Sequence, residues 1–249
     1  MSRTICCETS GSRSGCAPLP AIRELFAAIQ AELARLSGQR VAGWKIAATS
    51  NAGQRHIRVD GPLAGCLLSG RALDAGARIA LAGNNMKVAE AEFAFRMAAD
   101  LPKRAGDYGV EEVLAAVASL HPAIEVPDSR YTDFTRVGAA QLIADDACAC
   151  WFVIGTAVRA EWRAQDLVRH GVSAYRNGAL AGKGSGANVL GDPRSALAWI
   201  ANELCAYGDG LRAGDVVITG TCLTPVPVVA GDDIKMDFGE FGTLEVGFV

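Results

Sequence analysis

The sequence predicts an α+β fold, with residues 17–249 as a single domain and residues 1–16 as a disordered tail. Three observations carry that prediction. Apolar stretches are mostly short, bounded by Gly, Asn, Asp or Pro, and strand-like. Only a few windows show helical spacing. Strands and helices do not alternate regularly, and no segment repeats, which argues against a doubly wound sheet or a solenoid.

Half of the 249 residues are hydrophobic, enough for a large core. The formal net charge of −3 comes without a basic stripe or polybasic arm, so neither nucleic acid nor a membrane surface is an expected partner. No apolar run reaches the roughly 18 residues of a spanning helix. Met1–Cys16 lacks the apolar core of a secretion signal. A cytoplasmic location is expected. Cys66, Cys148, Cys150, Cys205 and Cys222 sit among apolar neighbours, and no Cys-x-x-Cys spacing occurs. We therefore expect buried, reduced thiols rather than disulfides or a zinc site.

Taken in order, Ile22, Leu25, Phe26, Ile29, Leu33 and Leu36 recur at helical spacing, and Gly38 can end that helix. Val41–Ala47 reads as a buried strand with one lysine, Lys45, inside it. Such a lysine either snorkels to the surface or is held at a site that tunes its pKa. Residues 49–62 form a loop or short helical lid with His56 and Arg58, and residues 63–68 and 78–81 form short strands. Residues 88–95 form a strand, 102–108 a loop, and 110–120 a helix of two to three turns that His121-Pro122 stops. Residues 139–149 form a small-residue helix or turn with Asp145-Asp146, and 151–154 a buried strand. Asn177-Gly178 marks a hairpin between 172–176 and 179–181. Lys183-Gly184-Ser185-Gly186 lacks the strand-turn-helix context of a phosphate cradle. A helix runs from the cap Asp192 through Leu197, Ile200 and Leu204 to Gly208, and the rest is strand with Gly/Asp turns.

The strand at 88–95 puts Ala89, Ala91, Phe93 and Phe95 on one face and Glu90 and Glu92 on the other. The two carboxylates stand roughly 7 Å apart, two residues of rise. Alone, Glu-x-Glu is a common pattern of a solvated strand face. Glu125, inside another apolar run, offers a third ligand, and an all-oxygen site of this kind suits Mg²⁺ or Mn²⁺ rather than Zn²⁺.

The stretches Gly43-Trp44-Lys45-Ile46, Val59-Asp60-Gly61-Pro62, Glu90-Ala91-Glu92-Phe93, Ile124-Glu125-Val126-Pro127-Asp128-Ser129-Arg130, Ala144-Asp145-Asp146, Asn188-Val189-Leu190-Gly191-Asp192-Pro193 and Leu211 to Gly220 occur in this order. Together they resemble the 2-keto-4-pentenoate hydratase and 4-oxalocrotonate decarboxylase group of the fumarylacetoacetate hydrolase superfamily. The resemblance implies a mixed β-sandwich roll, a catalytic domain, and Mg²⁺ or Mn²⁺ on Glu90, Glu92 and Glu125. It implies Lys45 and Asp60 as acid/base residues and Lys87 and Thr221 as substrate-binding residues. It also implies homo-oligomers such as pentamers or decamers, and association with a pathway aldolase or decarboxylase. Asp146 and Cys148 stand where the family often has Asn and Ser.

The activity so implied is hydration of a 2-hydroxy-2,4-dienoate to a 4-hydroxy-2-oxo acid in the breakdown of aromatic ring-cleavage products. Decarboxylation of a 2-oxo-enedioate is its rival. Hydrolysis of an acylpyruvate, with His56 activating water, is a third reading, and a silent binding or scaffold protein of the same fold a fourth. Apolar walls and a nearby cation would lower the pKa of Lys45. Asp128 and Arg130 are candidates either to orient Glu125 or to form a structural ion pair.

Overall fold

A computed structural model describes residues 19–159 and 161–249. The tail expected at residues 1–16 lies outside the described residues. Helices are α1 (Leu19–Ser37), α2 (Asn51–Ile57), α3 (Val110–Ala115), α4 (Ala139–Ala144) and α5 (Pro193–Tyr207). The strands, in order, are β1 (Val41–Ala47), β2 (Leu63–Leu68), β3 (Ala72–Leu73), β4 (Arg78–Ile79), β5 (Val88–Met97), β6 (Leu101–Pro102), β7 (Val117–Val126) and β8 (Trp151–Ile154). They continue with β9 (Gly171–Arg176), β10 (Ala179–Ser185), β11 (Gly210–Leu211), β12 (Val216–Thr221), β13 (Val226–Pro227), β14 (Asp233–Asp237) and β15 (Thr243–Phe248).

An eight-stranded mixed sheet has the order β2-β1-β12-β5-β7-β8-β3, with β13 also paired to β5. A five-stranded sheet has the order β10-β9-β14-β15-β4. The inner faces share one core with α5: Phe93 and Phe95 of β5, Ile124 of β7, Val172 of β9, Met236 of β14, Val246 of β15 and Leu197 are all buried in a single apolar cluster. Phe93 meets Phe238 edge to face at 5.6 Å. Burial on this scale is the main stabilising contribution in such a fold.

Local signals set most of the boundaries. Asp192 caps α5 by accepting from the Arg194 N–H, with Pro193 in the first turn and Gly208 at the end. The β9–β10 hairpin turns at Asn177-Gly178, both with positive φ. In α1, Gln30 is buried and donates to the carbonyls of Ala64 and Ile143, while Leu36, counted in the apolar stripe, is exposed.

The expected helix over 110–120 is corrected. α3 ends at Ala115, and Val117 onward is the long central strand β7, with His121 and Pro122 inside it. Proline lacks the donor a central strand needs, but the defect falls just beyond β8. The Pro122 carbonyl accepts from Gly155 N, and the Gly155 carbonyl, which a Pro122 N–H would have reached, pairs with His121 Nδ1 at 2.8 Å. Nδ1 must then be the donor, and Nε2 is left to accept from Ser119 Oγ at 2.8 Å. Burial holds this imidazole below the usual histidine range, in keeping with the neutral ring.

Candidate active site

β5 and β7 pair antiparallel with Glu90 directly opposite Glu125, and Glu92 lies two residues along the same face. One oxygen from each of the three carboxylates lies within 4.8 Å of the others. The face is not the solvated one that an isolated Glu-x-Glu commonly marks: Glu90 is half-buried, Glu92 is 1% and Glu125 0% exposed. Lys45 reaches the same place from β1. Its cross-strand partner is Ile218 of β12, whose partner in turn is Ala94 of β5, on the face that bears Glu92.

Lys45 Nζ lies 3.1 Å from Glu125 Oε1 and donates to the Ala147 carbonyl at 3.0 Å. Glu92 Oε2 accepts from Gly220 N at 2.6 Å. That donor is available because the β12–β5 register shifts between Ile218 and Thr221, with Gly220 at φ 109°. A Cβ on Gly220 would stand 2.2 Å from Thr49 Oγ1, so glycine is required on both counts. Three buried oxygens, Glu92 Oε1 and both of Glu125, have no hydrogen-bond donor; the Lys45–Glu125 approach is an ion pair outside hydrogen-bond angles.

Three carboxylates facing one ammonium leave an excess of buried negative charge. Burial, and for Glu92 and Glu125 also a neighbouring carboxylate, pushes Glu90 and Glu92 above the ordinary range and Glu125 up to about 7. A divalent cation would remove both the repulsion and the missing donors, so this oxygen set fits a hard metal ion. In the metal-free site burial pulls the pKa of Lys45 down, but Glu125, Glu90 and Glu92 outweigh it and hold the amine protonated; the lowering expected beside a bound cation belongs to the loaded site, where those carboxylates are neutralised.

A cavity of about 510 Å³ opens over this cluster. Lys45, Glu90 and Thr221 line it, and its walls are mostly apolar, with Ile57, Leu63, Met86, Phe134 and Leu142 among them. The structure does not bring Asp60 or Lys87 into the lining; both are exposed, Asp60 on the loop after α2 and Lys87 just before β5. His56 does line it, edge to face with Phe134 at 5.9 Å. Cys148, which stands where the family often has Ser, lines the cavity as well; Ser50 and Asn188 also line it and were not among the expected site residues. Asn188 belongs to a stretch that carries the family resemblance, which was the available signal. Asp128 and Arg130 do not touch Glu125: Arg130 pairs with Asp145 at 2.6 Å, and Asp128 accepts from the N–H groups of Asn85 and Ser129.

Residues 68–249 match the family model described as fumarylacetoacetate (FAA) hydrolase C-terminal. The chain belongs to the fumarylacetoacetate hydrolase family. Within the family it is 35% identical over 218 residues to 2-hydroxyhexa-2,4-dienoate hydratase of Comamonas testosteroni, covering 87% of this chain and 81% of the relative. It is 31% identical over 212 residues to 4-oxalocrotonate decarboxylase of Pseudomonas sp. (strain CF600), covering 85% and 79%. The solved structure of 4-oxalocrotonate decarboxylase from Pseudomonas putida G7, complexed with magnesium and adipate, superposes with a TM-score of 0.82 at 27% identity, covering 93% of this chain and 87% of that one. Among the described residues no helix is long and apolar enough to cross a membrane. The described cysteines are all free, and four of the five are buried.

Proposed function

We propose that this chain is a Mg²⁺- or Mn²⁺-dependent hydratase that adds water to a 2-hydroxy-2,4-dienoate with an apolar tail, giving a 4-hydroxy-2-oxo acid. The observation that carries the reading is the cluster of three carboxylates, of which Glu90 lines an apolar cavity; among the described residues Lys45 is the one lysine or arginine in that lining. That cluster suits the metal-chelating end of a 2-hydroxy or 2-oxo acid. The apolar walls suit a hydrocarbon tail, whereas a second carboxylate there would be desolvated without a fixed cation.

Glu90, Glu92 and Glu125 would hold the ion. When bound, it supplies Lewis-acid polarisation of the substrate's 2-oxygen. Lys45 Nζ donates one N–H to the Ala147 carbonyl and lies in ion-pair contact with Glu125, which leaves it able to donate to a molecule in the cavity. In this reading Nζ gives a proton to the far carbon of the diene and takes up the one that the enol hydroxyl releases as the 2-oxo form appears. When water then adds across the alkene, its oxygen bonds C4 and its proton passes through the amine to C3. Thr221 and Ser50 offer polar groups at the wall. Asp60 and Lys87 have no part in the geometry described, and any role for them requires the loops that carry them to approach the cavity. Assembly with further copies of the chain belongs to the same reading and is checked by mass in solution.

Decarboxylation of a 2-oxo-enedioate is the second reading, supported by the likeness to 4-oxalocrotonate decarboxylases in sequence and in structure. One assay separates the two. Purified protein with Mg²⁺ is given monocarboxylic 2-hydroxydienoates and 2-oxo-enedioates, and loss of the conjugated chromophore is followed alongside CO₂. Fast chromophore loss with the monocarboxylates and no CO₂ supports hydration. CO₂ release from the dicarboxylates as the faster reaction overturns it in favour of the second reading.

A further inference from the structure

Behind Lys45 the backbone does something unusual. Asp146, Ala147 and Cys148 follow one another at φ 57°, 48° and 63°, three consecutive left-handed residues none of which is glycine. L residues resist this conformation, because their Cβ crowds the following carbonyl, and they visit it singly rather than in runs. A run of three persists only where the surroundings over-determine it, and such strain gathers at functional sites.

The surroundings here are specific. The Asp146 carboxylate is buried and grips β2 twice, accepting from Cys66 N at 2.7 Å on Oδ1 and from Cys66 Sγ at 3.4 Å on Oδ2. The Asp146 carbonyl packs so closely over Gly65 that a Cβ there would lie 2.2 Å from it. On the other flank, Asp145 takes bonds from Ser129 Oγ at 2.6 Å and from Arg130 N at 3.1 Å, both in the loop that follows β7. The turn is thus pinned between β2 and the end of the strand that bears Glu125. The group it presents inward is the Ala147 carbonyl, which accepts from Lys45 Nζ at 3.0 Å. Lys45 is the cross-strand partner of Gly65, one residue from the point of attachment.

We propose that Asp146 is a positioning residue for Lys45: it clamps a strained left-handed turn to β2, and the turn's Ala147 carbonyl holds the Lys45 amine in place against Glu125. The role rests on Lys45 being the proton carrier. Without the clamp the turn can relax toward the right-handed region, which rotates the Ala147 carbonyl away and frees a flexible amine.

The test compares Asp146→Ala, Asp146→Asn and Lys45→Met. Asp146→Ala is expected to lower kcat by about 10- to 100-fold, the scale of an ångström-level misplacement, with KM and Mg²⁺ affinity within about 3-fold of wild type. Asp146→Asn keeps an oxygen for the Cys66 N–H and should restore most of the lost kcat. Independently of turnover, reductive methylation of the metal-free protein, read by peptide mass, should modify Lys45 at least about 10-fold faster in Asp146→Ala than in wild type, since protection requires the pinned amine. Should Asp146→Ala not fold, Cys66→Ala removes only the thiol half of the clamp and should show the same pattern, with a smaller kcat loss and faster methylation. Wild-type kcat and wild-type Lys45 protection in the folded variant would overturn the proposal, as would equal losses in kcat, KM and Mg²⁺ affinity. Full turnover by Lys45→Met would instead overturn the role of Lys45, leaving the methylation comparison to decide the clamp.

Discussion

The floor and the rim of the cavity are built by opposite means. The floor consists of Glu90, Glu92, Glu125 and Lys45, side chains on interior strands of one sheet, where backbone pairing sets each position. The rim consists of α2, the loop with Asp60 and the segment before β5 with Lys87, where most side chains are exposed. Pre-organised charge needs rigid support, because groups that must not move when a cation or substrate arrives cannot rest on loops. The floor is also a liability without its cation, and the rim is not. Keeping charge at the floor therefore costs stability, while change at the rim alters what enters.

The largest expected effect breaks the floor. Glu92→Ala should abolish metal-dependent turnover, a loss of at least about 10³-fold if Lewis-acid polarisation supplies most of the rate enhancement. The same change should raise the melting temperature of the metal-free protein, because it deletes a buried charge that its neighbours repel; a gain on the order of 1–3 kcal/mol is expected. Thermal melts with and without Mg²⁺ check both halves: wild type should be stabilised by the ion and the variant should not. Unchanged turnover in Glu92→Ala would reject the metal assignment.

Next in size is Lys45→Met, expected to lower kcat by about 10²- to 10⁴-fold, the usual range for a positioned acid or base. Mg²⁺ binding should persist or tighten in that variant, since a competing cation has left the carboxylates; calorimetric titration reads this. A parallel loss of metal affinity would show that Lys45 supports the floor rather than the chemistry.

A smaller effect concerns pH. Burial lifts Asp146, like Glu125, to about 7. A carboxyl group whose folded pKa exceeds its unfolded value adds stability that is fully present below the ordinary carboxylate range and is lost as pH rises through the folded value. The metal-free protein should therefore melt at progressively lower temperature from about pH 5 to pH 8, and Mg²⁺ should restore most at the upper end. Asp146→Asn should flatten the slope, while a flat wild-type profile in chelator would contradict the burial argument. The smallest effect expected is at the rim. Asp60→Asn should change kcat by no more than about 3-fold, as surface changes away from a site usually do. A loss as deep as that of Lys45→Met would show that the α2 loop closes over the floor during turnover.

The strand period alone placed Glu90 and Glu92 on one face, and the apolar setting of Glu125 marked it as their partner. Both signals are local, and the fold kept them. Lys45 was visible as an oddity in an apolar run, but its nearness to Glu125 depends on β12, a strand more than 170 residues later in the chain that inserts between β1 and β5. The Gly220 bulge that hands a donor to Glu92 is equally non-local. Residues 117–120 misled because Val113, Val117 and Leu120 match helical spacing, and because the loss of a donor at Pro122 looked like a stop. Only the tertiary arrangement, with Gly155 beyond the end of β8 and the His121 ring in reserve, makes that proline harmless. Asp145-Asp146 marked a helix or turn at 139–149, but the left-handed backbone at 146–148 was not legible there, since none of its residues is a glycine.

The most direct test of the central claim is a crystal structure soaked in Mn²⁺ and read at the manganese absorption edge. One anomalous peak is expected, with an oxygen of each of Glu90, Glu92 and Glu125 at about 2.2 Å, between the Mg²⁺ and Ca²⁺ distances, and with the Lys45 amine across from it. A peak held by other residues, or none at millimolar Mn²⁺ with the three carboxylates still gathered, would contradict it.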